Sequence, residues 1–344
     1  MDSSSGSLGA LPPGGGVETL PGAVVMPAGS GTDDLADWVY DGCAVAISGM
    51  RQVVDGGGGG SLEGQLTPAY FNFWTSRAVL CPHRKTAAAV NDAMARRFPR
   101  MRVVEACDTI DDAGDDGCDV GSGFSPDKLA GRTPSGLAPH TLQLAVGMPI
   151  MAIANMPQLD VYNGTRLIVT SIVSSRVTGA VAFLGCGFYD RDGRLRVVDI
   201  HRVSTPANDG ALSFQWTRRQ FPVMPCFGMT IRCVAHGLCP CDGCRGVAGP
   251  FATCRIAVVA MCAADPLPCP SLPCSKSQGQ TLTSRVGVLL TSNVWTHGLL
   301  YVALGRVVHP DNIRVLCQGD GSAVMNVVYT DVMVSGESDP LARY

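Results

Sequence analysis

Lysine is almost absent from this chain. Three occur in 344 residues, Lys85, Lys128 and Lys276, against 23 arginines. A phosphate-binding P-loop needs Gly-x-x-x-x-Gly-Lys-Ser/Thr, so that backbone N–H groups cradle the phosphates and the lysine neutralises them. Lys85 follows Arg84, Lys128 follows Asp127 and Lys276 follows Ser275, so none completes that pattern. The five-glycine run Gly56 to Gly60 leads into Ser61-Leu62-Glu63 and reads as a flexible linker. No Asp-Glu dipeptide occurs either, so the usual magnesium-holding acidic pair is missing. On these grounds the chain alone is expected not to hydrolyse ATP.

Other absences narrow the class. The start, Met1-Asp2 followed by Ser, Gly and Pro, has neither the basic nor the apolar region of a secretory signal. Ile256 to Ala264 is the longest strongly apolar stretch, far too short to span a membrane. The expectation is a soluble intracellular protein with reduced thiols. A net charge of −3 gives no overall basic signal, so any nucleic-acid groove must be a local patch. The excess of arginine suits phosphate contacts, but a GC-rich gene gives the same bias.

The order of elements reads as α/β. Residues 1–32 are low-complexity and read as disordered. In residues 33–75, Asp34 to Asp41 reads as a short amphipathic helix, followed by a Gly-rich linker. Ser76 to Pro82 reads as a buried strand, and Thr86 to Phe98 as a helix with Ala89, Val90, Ala93, Met94 and Phe98 on one face. A strand, a turn and a helix open an α/β domain. Asp108 to Asp127 reads as a solvated acidic loop. The pattern then changes to short strands at Leu142–Val146, Ile150–Ile153, Arg166–Ile172, Val177–Leu184 and Leu195–Ile200. Asn163-Gly164 marks a hairpin turn with positive φ expected at both central residues.

Two phrases near the end carry the chemistry: Lys276-Ser277-Gln278-Gly279-Gln280-Thr281, and His297-Gly298-Leu299-Leu300-Tyr301-Val302-Ala303-Leu304-Gly305-Arg306. They resemble the last two motifs of superfamily-one DNA helicases of the Pif-type and Helitron-like group. Further phrases in the same order extend the resemblance over about residues 33–344: Pro134–His140, Val146–Met151, Tyr162–Val169, Trp216–Val223 and Met229–Ile231. Asn91 falls at the family's recurrent asparagine. The resemblance implies a RecD-like second motor domain over residues 76–140 and 217–344. It also implies an inserted SH3-like β-barrel over 141–216, with the amino-terminal ATP-binding domain absent.

By the same resemblance, Arg306 is the arginine that reaches the γ-phosphate, a role suited to an always-charged planar fork. Gln278, Gly279 and Thr281 couple nucleotide state to the DNA track. Lys276, Ser277, Arg218, Arg219 and His297 contact DNA. Trp216 and Phe221 compete between base stacking and core packing. ATP and Mg²⁺ belong to the complete enzyme, single-stranded DNA is the partner, and a separate or upstream ATP-binding half is implied. The activity implied is 5′ to 3′ unwinding in replication, repair, recombination, telomere maintenance or transposition, with the nucleus the first expectation for its place. The alternatives are a non-catalytic single-strand-binding remnant and a zinc-dependent interaction module. Departures from the family pattern stand at Gly305 for Ser, Leu299 for Gln and Gly228 for Ala.

Arg232 to Cys274 interrupts the resemblance and holds eight of the fifteen cysteines. Cys239, Cys241 and Cys244 could form a metal knuckle, with Cys233, His236 or Cys254 as the fourth ligand. A disulfide framework is disfavoured inside a cell. The favoured expectation is a retained intron or a gene-model error, because the segment breaks a constrained motif and ends in Leu267-Pro-Cys-Pro-Ser-Leu-Pro-Cys274, whose codons can all be pyrimidine-rich, as the end of an intron is.

Overall fold

A computed structural model describes residues 15–20, 24–56, 62, 65–110, 127–134, 136–190, 192–207, 212, 214–231, 282–290, 299–305, 307, 309–317 and 323–327. β1 (Gly15–Thr19) pairs antiparallel with β16 (Ala323–Val327). The first helix, α1 (Thr32–Val39), starts at Gly31, whose N–H donates to the Asp34 carboxylate at 2.7 Å. It buries Leu35, Ala36 and Val39, as its amphipathic pattern requires.

Of the Gly-rich linker expected over the rest of 33–75, the glycines 57–60 lie outside the described residues, and the flanking parts are helical instead. Two helices lie there, α2 (Cys43–Gly56) and α3 (Pro68–Thr75). Thr67 caps α3 by accepting from the Tyr70 N–H, and Pro68 stands at its first turn, where no N–H is missed. Tyr40, Phe73, Trp74, Phe98 and Phe227 pack edge-on or tilted around this region, with ring centroids 4.8–5.8 Å apart.

A four-stranded parallel sheet forms the α/β core. Its order is β13 (Gly228–Thr230), β2 (Ala78–Cys81), β14 (Val286–Leu290), β15 (Ile313–Cys317). β2 and β14 are buried at every position, the signature of a parallel sheet covered on both faces. α4 (Arg84–Ala95) buries Ala87, Val90, Asn91, Met94 and Ala95, and Phe98 beyond its end is buried as well. Ala89, expected on that face, is exposed. Two glycines permit close packing. A Cβ on Gly287 would meet the Val39 and Leu35 side chains at 2.9–3.0 Å, and one on Gly228 would meet the Ala87 carbonyl at 2.9 Å. α1 and α4 can therefore lie directly on β14 and β13.

The remaining strands are antiparallel. β6 (Pro149–Ala152), β7 (Arg166–Ser174), β8 (Val181–Tyr189) and β9 (Leu195–His201) form a meander, with β12 (Val223–Pro225) beyond β6. A barrel was expected here. The pairings among the described residues instead make an open five-stranded sheet with β12 and β9 at its edges. The turn at Asn163-Gly164 also differs from expectation. Thr165 N–H donates to the Tyr162 carbonyl, and only Gly164 has positive φ (92°), as a type II turn requires.

Antiparallel pairing extends past residues 141–216. β3 (Arg102–Glu105) pairs with β5 (Thr141–Leu144), and β4 (Cys107–Ile110) and β10 (Val203–Pro206) flank β11 (Trp216–Gln220). The acidic stretch expected as loop therefore begins with a strand. A short helix, α5 (Asp127–Ala130), follows, and α6 (Leu299–Leu304) packs Leu300 and Ala303 into the core with β14 and β15.

Candidate nucleic-acid interface

In open parallel sheets ligands gather at the carboxyl ends of the strands. Here β2 ends at Cys81, which accepts from the Ile231 N–H at 2.8 Å, so β13 continues beside it. Asn91 on α4 fixes that edge. Its side chain donates to the Gly228 carbonyl at 3.1 Å and accepts from the Gly228 N–H at 2.7 Å. A buried amide satisfied from both ends in this way specifies one placement of helix against strand. The expected asparagine thus has a positioning role, and glycine at 228 makes room for Ala87 and Val90 of the same helix.

The last two motifs are reached only through their neighbours. Leu282, just after the first, forms a parallel bridge with Val307, just after the second. Both side chains pack in one cluster with Leu300, Ala303 and Val288. Lys276, Ser277, Gln278, Gly279, Thr281, His297 and Arg306 lie outside the described residues, as do Cys239, Cys241, Cys244 and the whole of 232–274. Among the described residues no cluster of three or more His, Cys, Asp or Glu side chains is placed to hold a metal ion.

Arg218 and Arg219 are described, and they separate. Arg218 is 1% exposed, and the expectation that it contacts DNA is corrected. Its Nε and Nη2 donate to the two Asp108 carboxylate oxygens at 2.7 Å each. The remaining donors go to the carbonyls of Leu129, Arg132 and Ala138. This bidentate fork leaves nothing for a phosphate. His140 Nδ1 lies 2.9 Å from Asp108 Oδ2, the oxygen that also accepts from Arg218 Nη2. Burial alone would raise the Asp108 pKa, but the hydrogen bonds and charges of Arg218 and His140 hold it below the ordinary carboxylate value. Trp216 and Phe221 are fully buried, which settles them as core.

Arg219 points the other way, as strand alternation demands, and is exposed. Its neighbour is Arg202, which lies over the Phe221 ring at 5.0 Å and donates to the Glu105 carbonyl at 2.7 Å. Partial burial and then the charge of Arg219 push the Arg202 pKa down. Two guanidiniums crowded at one surface are a local basic patch on an otherwise acidic chain.

Arg166 went unnoticed in the sequence. It is buried and donates to the carbonyls of Thr75 and Arg77 at 2.8 and 2.7 Å, joining β7 to the entry of β2. The only available signal was a charged residue heading the apolar run Leu167-Ile168-Val169.

The molecule is thus a mixed α/β protein in which a parallel sheet carries an appended antiparallel unit. Residues 133–172 match the family model of the 2B domain of DNA helicase Pif1, so the Pif-type resemblance holds over this part of the chain. Solved structures with partial likeness include the Pif1 helicase of Candida albicans, 20% identical, with a TM-score of 0.46, covering 75% of this chain and 48% of that one. Bacteroides Pif1 bound to ssDNA is 16% identical, with a TM-score of 0.41, over 74% and 42%. The Bacteroides Pif1 helicase in complex with ADP-AlF3 and ssDNA is 15% identical, with a TM-score of 0.44, over 77% and 46%. The chain spans about half the length of these proteins. No curated protein matches it. Among the described residues no helix is long and apolar enough to cross a membrane.

Proposed function

We propose that the chain is the carboxy-terminal part of a Pif-type, ATP-dependent DNA helicase that binds single-stranded DNA and moves 5′ to 3′. The observation that carries this reading is the match of residues 133–172 to the Pif1 2B domain. Support comes from the Leu282–Val307 bridge, which joins the residues that follow the two terminal motifs in one core. We read the antiparallel unit as the SH3-like subdomain of that family.

In this proposal Arg306 stabilises charge on the transferring phosphoryl group. Gln278, Gly279 and Thr281 link nucleotide state to the strand, and Lys276, Ser277, His297 and Arg219 contact it. ATP and Mg²⁺ are held by a separate or upstream half, because this chain has no P-loop lysine and no acidic pair. Genome maintenance in the nucleus is the setting the reading favours.

The test is fusion to a Pif-type ATP-binding half. DNA-stimulated ATP hydrolysis is expected in the fusion and not in the chain alone. Arg306→Ala in the fusion is expected to lower kcat by about a thousandfold or more. A fusion that binds nucleotide but keeps its kcat without Arg306 removes the finger from the proposal.

A further inference from the structure

Three adjacent strands of the parallel sheet have an arginine at or just before their start. Arg77 directly precedes β2, Arg285 directly precedes β14, and Arg314 is the second residue of β15. The register sets Val286 beside both Ala78 and Ile313, so the three lie along one edge. That edge is the amino end of the sheet, opposite the end at which β2 and β13 finish.

The geometry is crowded. Arg285 and Arg314 share the ring of Trp38, at 5.3 and 4.9 Å from its centroid. Arg77 stacks on Phe73 at 4.2 Å, and its Nε is buried without a hydrogen-bond partner. Desolvation and then the charge of Arg285 push the Arg77 pKa down. The helix that carries Trp38 also holds Asp33, Asp34 and Asp37; Asp34 accepts from the Gly31 N–H and Asp37 pairs with Arg97. Asp41, itself 69% exposed, bonds Arg285 at 3.0 Å, and the Asp311 carboxylate lies instead against His309 at 3.3 Å. Arg314 donates only to the Ile313 and Asp311 carbonyls and has no ion-pair partner among the described residues.

Crowded guanidiniums raise the free energy of a protein unless an anion relieves them, and their planar forks match phosphate oxygens. Three arginines gathered at strand starts are a local concentration of positive charge on a chain with a net charge of −3. We propose that Arg285 and Arg314, backed by Arg77, bind backbone phosphates of a nucleic-acid strand at the amino end of the sheet, a second contact separate from the Arg202–Arg219 patch. The proposal rests on the reading of the chain as a single-strand binder.

The experiment measures binding of the full chain to a 20-nucleotide oligo-dT at several salt concentrations. Each phosphate contact contributes about 0.7 to the slope of log affinity against log salt for single strands. Arg285→Gln and Arg314→Gln are each expected to flatten the slope by about that amount. The double lysine variant should keep the slope, which separates charge from packing if either glutamine variant loosens α1. Asp41→Asn should tighten binding about two- to fivefold. Wild-type binding left unchanged by all of these substitutions overturns the site and leaves the single-strand reading intact. No binding by the wild type overturns both. A melting temperature raised by inorganic phosphate but lost in Arg314→Gln, with oligonucleotide binding unaffected, would assign the edge to free phosphate and overturn the nucleic-acid proposal.

Discussion

The parallel and antiparallel parts of this molecule are built on opposite plans. The antiparallel meander β6–β9 is drawn from consecutive sequence, residues 149–201. β7, β8 and β9 find their partners across short turns, and β6 reaches β7 over residues 153–165, so pairing and register are settled locally. The parallel sheet is gathered from residues 78–81, 228–230, 286–290 and 313–317, and every neighbour in it is remote. Its strands are separated by long stretches of chain, and side-chain clasps hold them together. Asn91 on Gly228, Arg166 on the entry to β2 and Arg285 on Trp38 and Asp41 are clasps of this kind. The difference shows where single polar residues matter: they are placed where distant segments meet.

The Arg218–Asp108 fork is the strongest case, joining β11 to β4 and to the carbonyls around α5. Arg218→Ala strands a buried carboxylate and is expected to cost about 3–5 kcal/mol, measured by urea unfolding. Replacing both partners with apolar residues of similar volume should cost much less. A loss under about 1 kcal/mol for the single variant would mean that β4 does not depend on the clasp.

Asn91→Ala tests the parallel plan in the same way. It strips two hydrogen bonds from the Gly228 backbone and leaves buried groups unpaired, at a cost of about 2–3 kcal/mol. Amide exchange should quicken in β13 and β2 while β7 and β8 stay protected. Equal loosening of both sheets would show that the two parts unfold as one.

The pH dependence should follow Asp108. Its folded pKa is depressed, so its contribution is fully present above the unfolded value of about 3.9 and is lost as pH falls through the folded value. Asp108→Asn should lower stability near neutrality and flatten the acid limb of the stability curve. An unchanged acid limb would assign the acid sensitivity to other carboxylates.

Arg219→Gln is the smallest expected effect on the fold, within about 0.5 kcal/mol, because the side chain is exposed. Its effect should fall on nucleic-acid binding, with a salt slope flatter by about 0.7 for a single strand. A stability loss comparable to that of Arg218→Ala would put both arginines in the core and dissolve the patch.

Much of this was legible in the residues. The amphipathic α1, the apolar β2, α4 and the strand pattern of 149–201 each carry a period that local geometry imposes. The ordered Pif-like phrases carried the family resemblance, which residues 133–172 bear independently. The helices α2 and α3 were hidden because Gly-rich sequence beside them masked a weak period. Arg218 and Arg219 read as one basic pair because sequence shows adjacency and not the face of a strand. Only the pairing of β11 with β4 turned one inward onto Asp108 and set the other beside Arg202.

The sequence by itself determined that the chain lacks a P-loop lysine, that it mixes strand and helix in a helicase-like order, and that its charge must act locally. Those properties depend on which residues are present and on periods of two and 3.6. Tertiary structure alone decided which arginines are buried forks and which are open to an anion. That choice depends on the desolvation and partners each guanidinium meets when segments a hundred or more residues apart come together.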